Sequence, residues 1–211
     1  MSVLLENLEG AERAAAAETL VRCPTLRLAA GQARVRLDDA ACVVVEEGVV
    51  LVTSTRATAS RRMIVAVAGA GAVLMPPAAG ERLEAATDLR LTLVADAAQA
   101  ALLQVPGAAA ALVAALAEQL RERQESLAQF SSVRHVERVR DKLLQLAREH
   151  GRVVPGGIRL DLPLTHELMG EMVGSARETV TWAFAKLARE GFLSRDGRTY
   201  RLAVAPEALA S

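Results

Sequence analysis

The sequence is short of the residue types from which metal centres, disulfide frameworks and catalytic sets are built. Its two cysteines, Cys23 and Cys42, make neither a disulfide framework nor a metal site. They also fall short of the four thiolates that usually hold an iron–sulfur cluster. None of its three histidines lies in residues 1–134, which excludes a haem held by an N-terminal histidine. Lysine is scarce: only Lys142 and Lys186 stand among 25 basic residues, a bias of composition and not a function. No apolar run approaches the ~20 residues that a membrane-spanning helix needs, and no membrane partner is expected. The opening Met1-Ser-Val-Leu-Leu-Glu lacks the basic start and long apolar core of a secretory signal. A reduced cytoplasm is the default location. No Ser/His/Asp set, metal-ligand spacing or phosphate loop is visible, and Gly-Ala-Gly-Ala at 69–72 is too weak a match to count. Catalytic residues, metal ligands and cofactors are therefore expected to be absent, and an enzyme is not expected.

What is present is ample apolar material and an uneven spread of charge. The 211 residues are 52% hydrophobic, enough for a sizeable core in one or two domains. Net charge is zero, yet residues 1–130 hold 12 arginines against 15 carboxylates and residues 131–205 hold 13 Lys/Arg against 9. That is the sign expected if the C-terminal part meets phosphate.

The periodicities divide the chain. Residues 2–22 read as a helix that Pro24 ends. From Leu26 to Val94 the texture is of short strands: Leu26–Leu28, Arg34–Leu37, Cys42–Val45, Val49–Thr53, Met63–Val67, Val73–Met75 and Leu89–Val94, with turn-formers between them. Regularly spaced short strands predict a small sandwich or barrel. Residues 97–103 read as a short helix, and a long one follows from about Gly107 to Phe130. Val113, Leu116, Leu120, Arg123, Leu127 and Phe130 recur on it at spacings of three and four, an a/d seam. Part of that face is expected to pack on the strands, and the narrow seam favours a dimer, with Arg123 interrupting it and setting its register. Phe130-Ser131-Ser132 is the hinge candidate. Val133–His150 reads as a further helix packing through Val136, Val139, Leu143, Leu146 and Ala147, with His135 and His150 on the surface. Gly151–Gly157 reads as a turn-rich link, Ile158–Leu162 as a strand, and Phe192–Leu202 as a hairpin turning at Asp196-Gly197, a type I′ signal.

The most informative stretch is Thr165–Gly191. Thr165 is a good N-cap, and Leu168, Met169 and Met172 recur at helical spacing. Gly174 suits the positive φ of a sharp turn. Val180, Phe184 and Leu187 make one face of a second helix, closed by Gly191. Two helices and a glycine turn form a helix-turn-helix, whose second helix enters the DNA major groove. Opposite the apolar face lie Arg177, Glu178 and Thr181. Arg can donate twice to guanine and Glu can accept from cytosine, while the Thr179 hydroxyl suits a phosphate oxygen.

Gly-x-x-Val-Gly-x-x-Arg-Glu-Thr-Val, followed by a helix and a short hairpin, resembles the winged helix-turn-helix of the cyclic-AMP receptor protein / FNR (CRP/FNR) family of bacterial transcription regulators. The match is specific over Gly157–Ala203 and collinear but weaker elsewhere. The resemblance implies an α+β fold: an N-terminal β-roll of the cyclic-nucleotide-binding kind (1–105), a dimerisation helix and hinge (106–132) and a winged helix-turn-helix (133–211). It implies base reading by Arg177, Glu178, Thr181 and Trp182, the last standing where the family has a third base-reading arginine. Thr165, His166, Ser175, Thr179, Lys186, Arg195 and Arg198 are then expected at phosphates. Gly48 and Gly71 would take the family's tight turns. The implied partners are double-stranded DNA with a palindromic operator, a second copy of the chain, and RNA polymerase. The family's cyclic-nucleotide motif is missing, however. Met75-Pro76 stands where Gly-Glu is needed, the phosphate-binding arginine position falls near Ala79, and Arg82 is out of register. A buried phosphate without a cation is strongly disfavoured, so control by cyclic AMP is not expected. The alternative reading is an architectural DNA binder that needs no ligand, its β-roll serving only packing and dimerisation.

Overall fold

The computed structural model describes residues 3–6, 8–34, 37, 39–55, 62–129, 134–197 and 199–205. The chain falls into two compact units, residues 1–60 with 64–124, and residues 61–63 with 125–211.

The first unit opens with α1 (Val3–Glu6) and α2 (Gly10–Val21). The single helix expected over residues 2–22 is thus two. The break comes at Gly10, whose φ is +51°, and Leu8, just before it, is buried. Eight strands follow: β1 (Thr25–Leu28), β2 (Ala33–Arg34), β3 (Cys42–Glu47), β4 (Val50–Ser54), β5 (Met63–Ala68), β6 (Val73–Leu74), β7 (Glu81–Ala85) and β8 (Leu89–Val94). They form two antiparallel sheets, ordered β1-β8-β3-β6 and β2-β7-β4-β5, the two-sheet roll that the spacing of short strands predicts. Strand β7 is an addition to the sequence reading.

Strand β3 shows how the roll is held. Successive side chains on a strand point to opposite faces. Val43 and Val45 enter a core between the sheets with Val50, Val52, Leu83 and Leu91. Cys42 and Val44 enter a second core with Leu4, Leu20, Leu102 and Leu112 from the helices. This explains why Cys-Val-Val-Val is uninterrupted and apolar: the strand is covered on both sides. Burial pushes the Cys42 thiol up to about 11, and Cys23 nearby adds to the shift, so both cysteines are thiols at neutral pH. The turn at Gly48 has φ +85°, and a Cβ there would lie 2.1 Å from the Asp88 carbonyl oxygen, so only glycine fits.

Helices α3 (Asp96–Leu103) and α4 (Pro106–Gln129) follow the strands. Among the described residues no single helix is long and apolar enough to cross a membrane.

The second unit contains α5 (His135–His150), β9 (Gly151–Val154), β10 (Gly157–Leu160), α6 (His166–Val173), α7 (Arg177–Arg189), β11 (Leu193–Asp196) and β12 (Thr199–Leu202). Helix α5 buries the expected Val136, Val139, Leu143, Leu146 and Ala147. The His150 side chain is also largely buried, 8% exposed, which corrects its expected surface position. The four strands form one sheet, ordered β11-β12-β10-β9. The link read at Gly151–Gly157 is therefore a hairpin, with Val154 paired to Gly157. The last hairpin also turns one residue later than its sequence suggests. Asp196 is still in the strand, paired with Thr199, so the central residues are Gly197, at φ +60°, and Arg198, which lies outside the described residues.

Candidate functional site

The helix-turn-helix is set by its caps. The Thr165 hydroxyl accepts the Leu168 N–H at 3.0 Å, starting α6. Gly174 ends it in the left-handed region at φ 64°, ψ 33°, and the Ser175 N–H donates back to the Gly170 carbonyl at 2.9 Å. A Cβ on Gly170 would sit 2.6 Å from the Ser175 carbonyl oxygen, so the turn closes tightly because residue 170 has no side chain. Helix α7 then buries Val180, Ala183, Phe184 and Leu187. Its first two turns leave Arg177, Glu178, Thr181 and Trp182 exposed, so these four share the face turned to solvent.

A short hydrogen-bond chain fixes the start of that face. The Thr181 hydroxyl donates to the Arg177 carbonyl at 2.9 Å. A hydroxyl has one proton, so His166 Nδ1, 2.8 Å from Thr181 Oγ1, must be the donor in its own bond. That leaves His166 Nε2 free of this chain. The imidazole also lies on the Phe184 ring, centroids 4.8 Å apart. Burial holds the His166 imidazole below its usual value, with Arg177 and Arg195 adding in the same direction. His166 is thus a neutral group among arginines.

The residues expected at phosphates separate into groups. Thr165 and Arg195 are exposed, and His166, Thr179 and Lys186 are half-buried. Arg195 Nε donates to the Gly197 carbonyl at 3.1 Å. Lys186 Nζ stands over the Trp182 ring, 5.8 Å from its centroid, and 3.9 Å from Glu190. Ser175 requires correction: it is 2% exposed, with Oγ 2.9 Å from His135 Nδ1. Its hydroxyl ties the turn to α5 and faces no solvent. Beside Trp182 runs a groove of about 620 Å³, lined by Arg134, Val136, Arg140, Thr179 and Lys186 among others. The α5 contribution to this groove was not legible from the local pattern of α7.

The seam residues of α4 divide as well. Val113 is 63% exposed and Leu120 58%, and Leu116 is half-buried. Arg123, placed in the seam by its spacing, also reaches the roll: Nη1 lies 3.2 Å from Glu81 Oε1 of β7. The Leu127 side chain and all of Phe130 lie outside the described residues, as does the hinge candidate 130–132. Arg123, Glu81, Gln119, Leu116, Leu120, Met75 and Pro76 line a cleft of about 310 Å³. The Gln119 side-chain oxygen Oε1 accepts the Met75 N–H at 3.4 Å. Arg82 is not in the cleft. It lies opposite to Leu83 and Ala85 in the alternation of β7 and donates to Thr53 Oγ1 at 3.2 Å.

The second unit is by its geometry a winged helix-turn-helix, preceded in the chain by a two-sheet β-roll. Residues 137–211 match the Crp-like helix-turn-helix domain. A CRP-like cAMP-activated global transcriptional regulator of Mycobacterium tuberculosis is 35% identical over 88 residues, 42% of this chain and 39% of that protein. The match thus spans about two fifths of the length of that curated relative. In fold, a CooA mutant from Carboxydothermus hydrogenoformans covers 92% of this chain and 88% of its own, with a TM-score of 0.74 at 21% identity. A CRP/FNR family transcriptional regulator from Thermus thermophilus covers 89% and 96%, with a TM-score of 0.68 at 23% identity. Residues 137–211 thus carry a Crp-like helix-turn-helix domain, and the chain as a whole shares the fold of CRP/FNR regulators.

Proposed function

We propose that the chain is a sequence-specific DNA-binding regulator of transcription that acts as a homodimer and is not controlled by cyclic AMP. One observation carries the DNA reading: α7, seated on the unit by Val180, Ala183, Phe184 and Leu187, presents Arg177, Glu178, Thr181 and Trp182 together on its exposed face. Arg177 and Glu178 have the donor and acceptor sets that distinguish guanine and cytosine edges. Thr165, His166, Thr179, Lys186, Arg195 and Arg198 are the proposed phosphate contacts, which fix register without reading sequence. Residues 1–105 form the sensor-like domain, 106–132 the dimer helix and hinge, and 133–211 the DNA-binding domain. The exposed Val113 and Leu120 on α4 support pairing with a second copy. Such a dimer would set two recognition helices about 34 Å apart on a palindromic operator, with RNA polymerase as the further partner.

Independence from cyclic AMP is supported by the cleft. Met75-Pro76 offers no carboxylate for a ribose, and Pro76 has no N–H. The cation that lines the cleft, Arg123, is held by Glu81, so a cyclic phosphate would displace an ion pair and meet a carboxylate. The same contacts favour a second reading, in which the β-roll senses nothing. Gln119 and Arg123 fasten α4 to the roll with the protein's own groups, as a ligand-independent DNA binder requires.

The decisive experiment is Arg177→Ala, with binding measured on the selected operator and on random duplex. The expected loss is ~1–3 kcal/mol on the operator and much less on random DNA. Equal loss on both would reduce Arg177 to a phosphate contact.

A further inference from the structure

We propose that Trp182 sets operator preference by packing its indole edge against the C5-methyl group of a thymine, favouring an A·T pair at one position of each half-site. The inference rests on α7 being the recognition helix and adds to it the chemistry of one base.

Trp182 is the exposed large hydrophobic residue of α7, with 55% of its surface open to solvent. It sits on the face of Glu178, one turn further along. Four residues advance the helix by ~6 Å, about two base steps of ~3.4 Å, so Glu178 and Trp182 face different base pairs. The indole has a cation on one face. Lys186 Nζ stands over its ring at 5.8 Å from the centroid, a cation–π distance, and Lys186 is itself 3.9 Å from Glu190. More than half of Trp182 stays open to solvent beside that contact.

The indole has no acceptor and carries one donor, Nε1–H. Against a G·C pair the N–H could meet one guanine acceptor, but no methyl would take the apolar part of the ring, which would cover the remaining polar groups without replacing their hydrogen bonds. In the major groove the apolar group available is the thymine methyl, beside an O4 acceptor that the indole N–H can meet. Both halves of the side chain are then satisfied by one base.

The test uses the full-length protein and an operator selected from random duplex. Each thymine is replaced in turn by deoxyuridine, which removes only the methyl, and affinity is read by anisotropy of labelled DNA. One position per half-site is expected to bind about fourfold more weakly, the worth of one buried methyl. Trp182→Ala should lose that sensitivity, Trp182→Phe should keep part of it, and Trp182→Arg should shift the preferred pair there to G·C. Unchanged affinity for every deoxyuridine duplex would overturn the proposal. In that case Trp182→Ala would weaken selected and random DNA alike, as expected of an indole packed on the sugar-phosphate strand in the neighbouring groove. Failure to select any operator would instead remove the DNA reading itself, and this inference with it.

Discussion

The cleft between β7 and α4 and the exposed face of α7 are built from similar residues, an arginine, a carboxylate and an apolar patch, yet they are finished in opposite ways. In the cleft Arg123 is closed on Glu81 and Gln119 accepts from Met75. On α7 Arg177 and Glu178 show no such bond among the described residues, and the internal bonds there, from Thr181 and His166, go to the helix backbone and to each other. A protein that satisfies its charges within one site and displays them at another has placed its demand for a partner at the second. The contrast also separates fold from function. The fold supplies both sites, and residue choice decides which one still asks for a ligand.

The largest test of this contrast acts on assembly. Leu120→Asp would bury an unpaired carboxylate in the proposed seam, which is strongly unfavourable. A shift to monomer in analytical ultracentrifugation is expected, with operator affinity falling by about two orders of magnitude because two half-sites are no longer bound together. A dimer unchanged by this substitution, with the fold intact, would place the interface elsewhere.

Opening the closed site comes next in size. Glu81→Gln leaves Arg123 without its charge partner and should lower stability by ~1 kcal/mol, the scale of one hydrogen bond to a partly buried charge. For a chain of this length that is a fall in Tm of about 2–4 °C. Operator affinity should stay within twofold. A larger change would mean that the cleft and α7 are coupled, and the separation drawn above would fail.

A smaller effect concerns pH. His166 is held below the usual imidazole value by burial and by Arg177 and Arg195. A phosphate placed beside it opposes those arginines and raises its pKa, so DNA binding takes up protons. Operator affinity should rise by about two- to fivefold as pH falls from 8 towards 6, and His166→Gln should flatten that slope. Stability of the free protein runs the other way. The depressed pKa means that the unfolded chain binds the proton first, so stability declines as pH drops through the unfolded value of about 6.5. Affinity that falls with pH while the fold persists would remove His166 from the phosphate contacts.

The smallest expected effect is none at all. Micromolar cyclic AMP or cyclic GMP should change neither Tm nor operator affinity. A ligand bound only by the folded protein at 100 times its Kd would add ~2.7 kcal/mol, so binding would be plain. A saturable rise in Tm would show that Arg123, or another arginine, leaves its partner to take the phosphate.

Elements governed by local chemistry were legible in the sequence. Thr165 and Gly174 bound a helix by capping and by φ, and α7 follows from its 3.6 period, so the helix-turn-helix is readable without tertiary information. The strands Cys42–Glu47 and Leu89–Val94 declare themselves by β-branched and leucine-rich runs. Strand β7 does not: Glu-Arg-Leu-Glu-Ala has the composition of a helix, and only pairing with β4 makes it a strand. Strand β9 hides because Arg152, Val153 and the glycines around it read as turn, while its order comes from β10. Non-local contacts were out of reach. Arg123 meets Glu81 across 42 positions and Ser175 meets His135 across 40, and neither spacing carries a periodic signal. The second contact corrects the phosphate role given to Ser175, and the first gives Arg123 a partner on the roll beside its expected place in the seam.

Trp182 has a consequence for spectroscopy. It is the single tryptophan of the chain, Tyr200 is the single tyrosine, and the three phenylalanines stand at 130, 184 and 192. Residues 1–129 contain no aromatic side chain. Intrinsic fluorescence and near-ultraviolet dichroism are therefore blind to the β-roll, and every photon emitted at the tryptophan wavelength originates on the face of α7. A melt followed by fluorescence reports the C-terminal unit alone, whereas far-ultraviolet dichroism reports both. Coincidence of the two curves, a standard sign of a single cooperative transition, is here a direct measure of whether the two units unfold together.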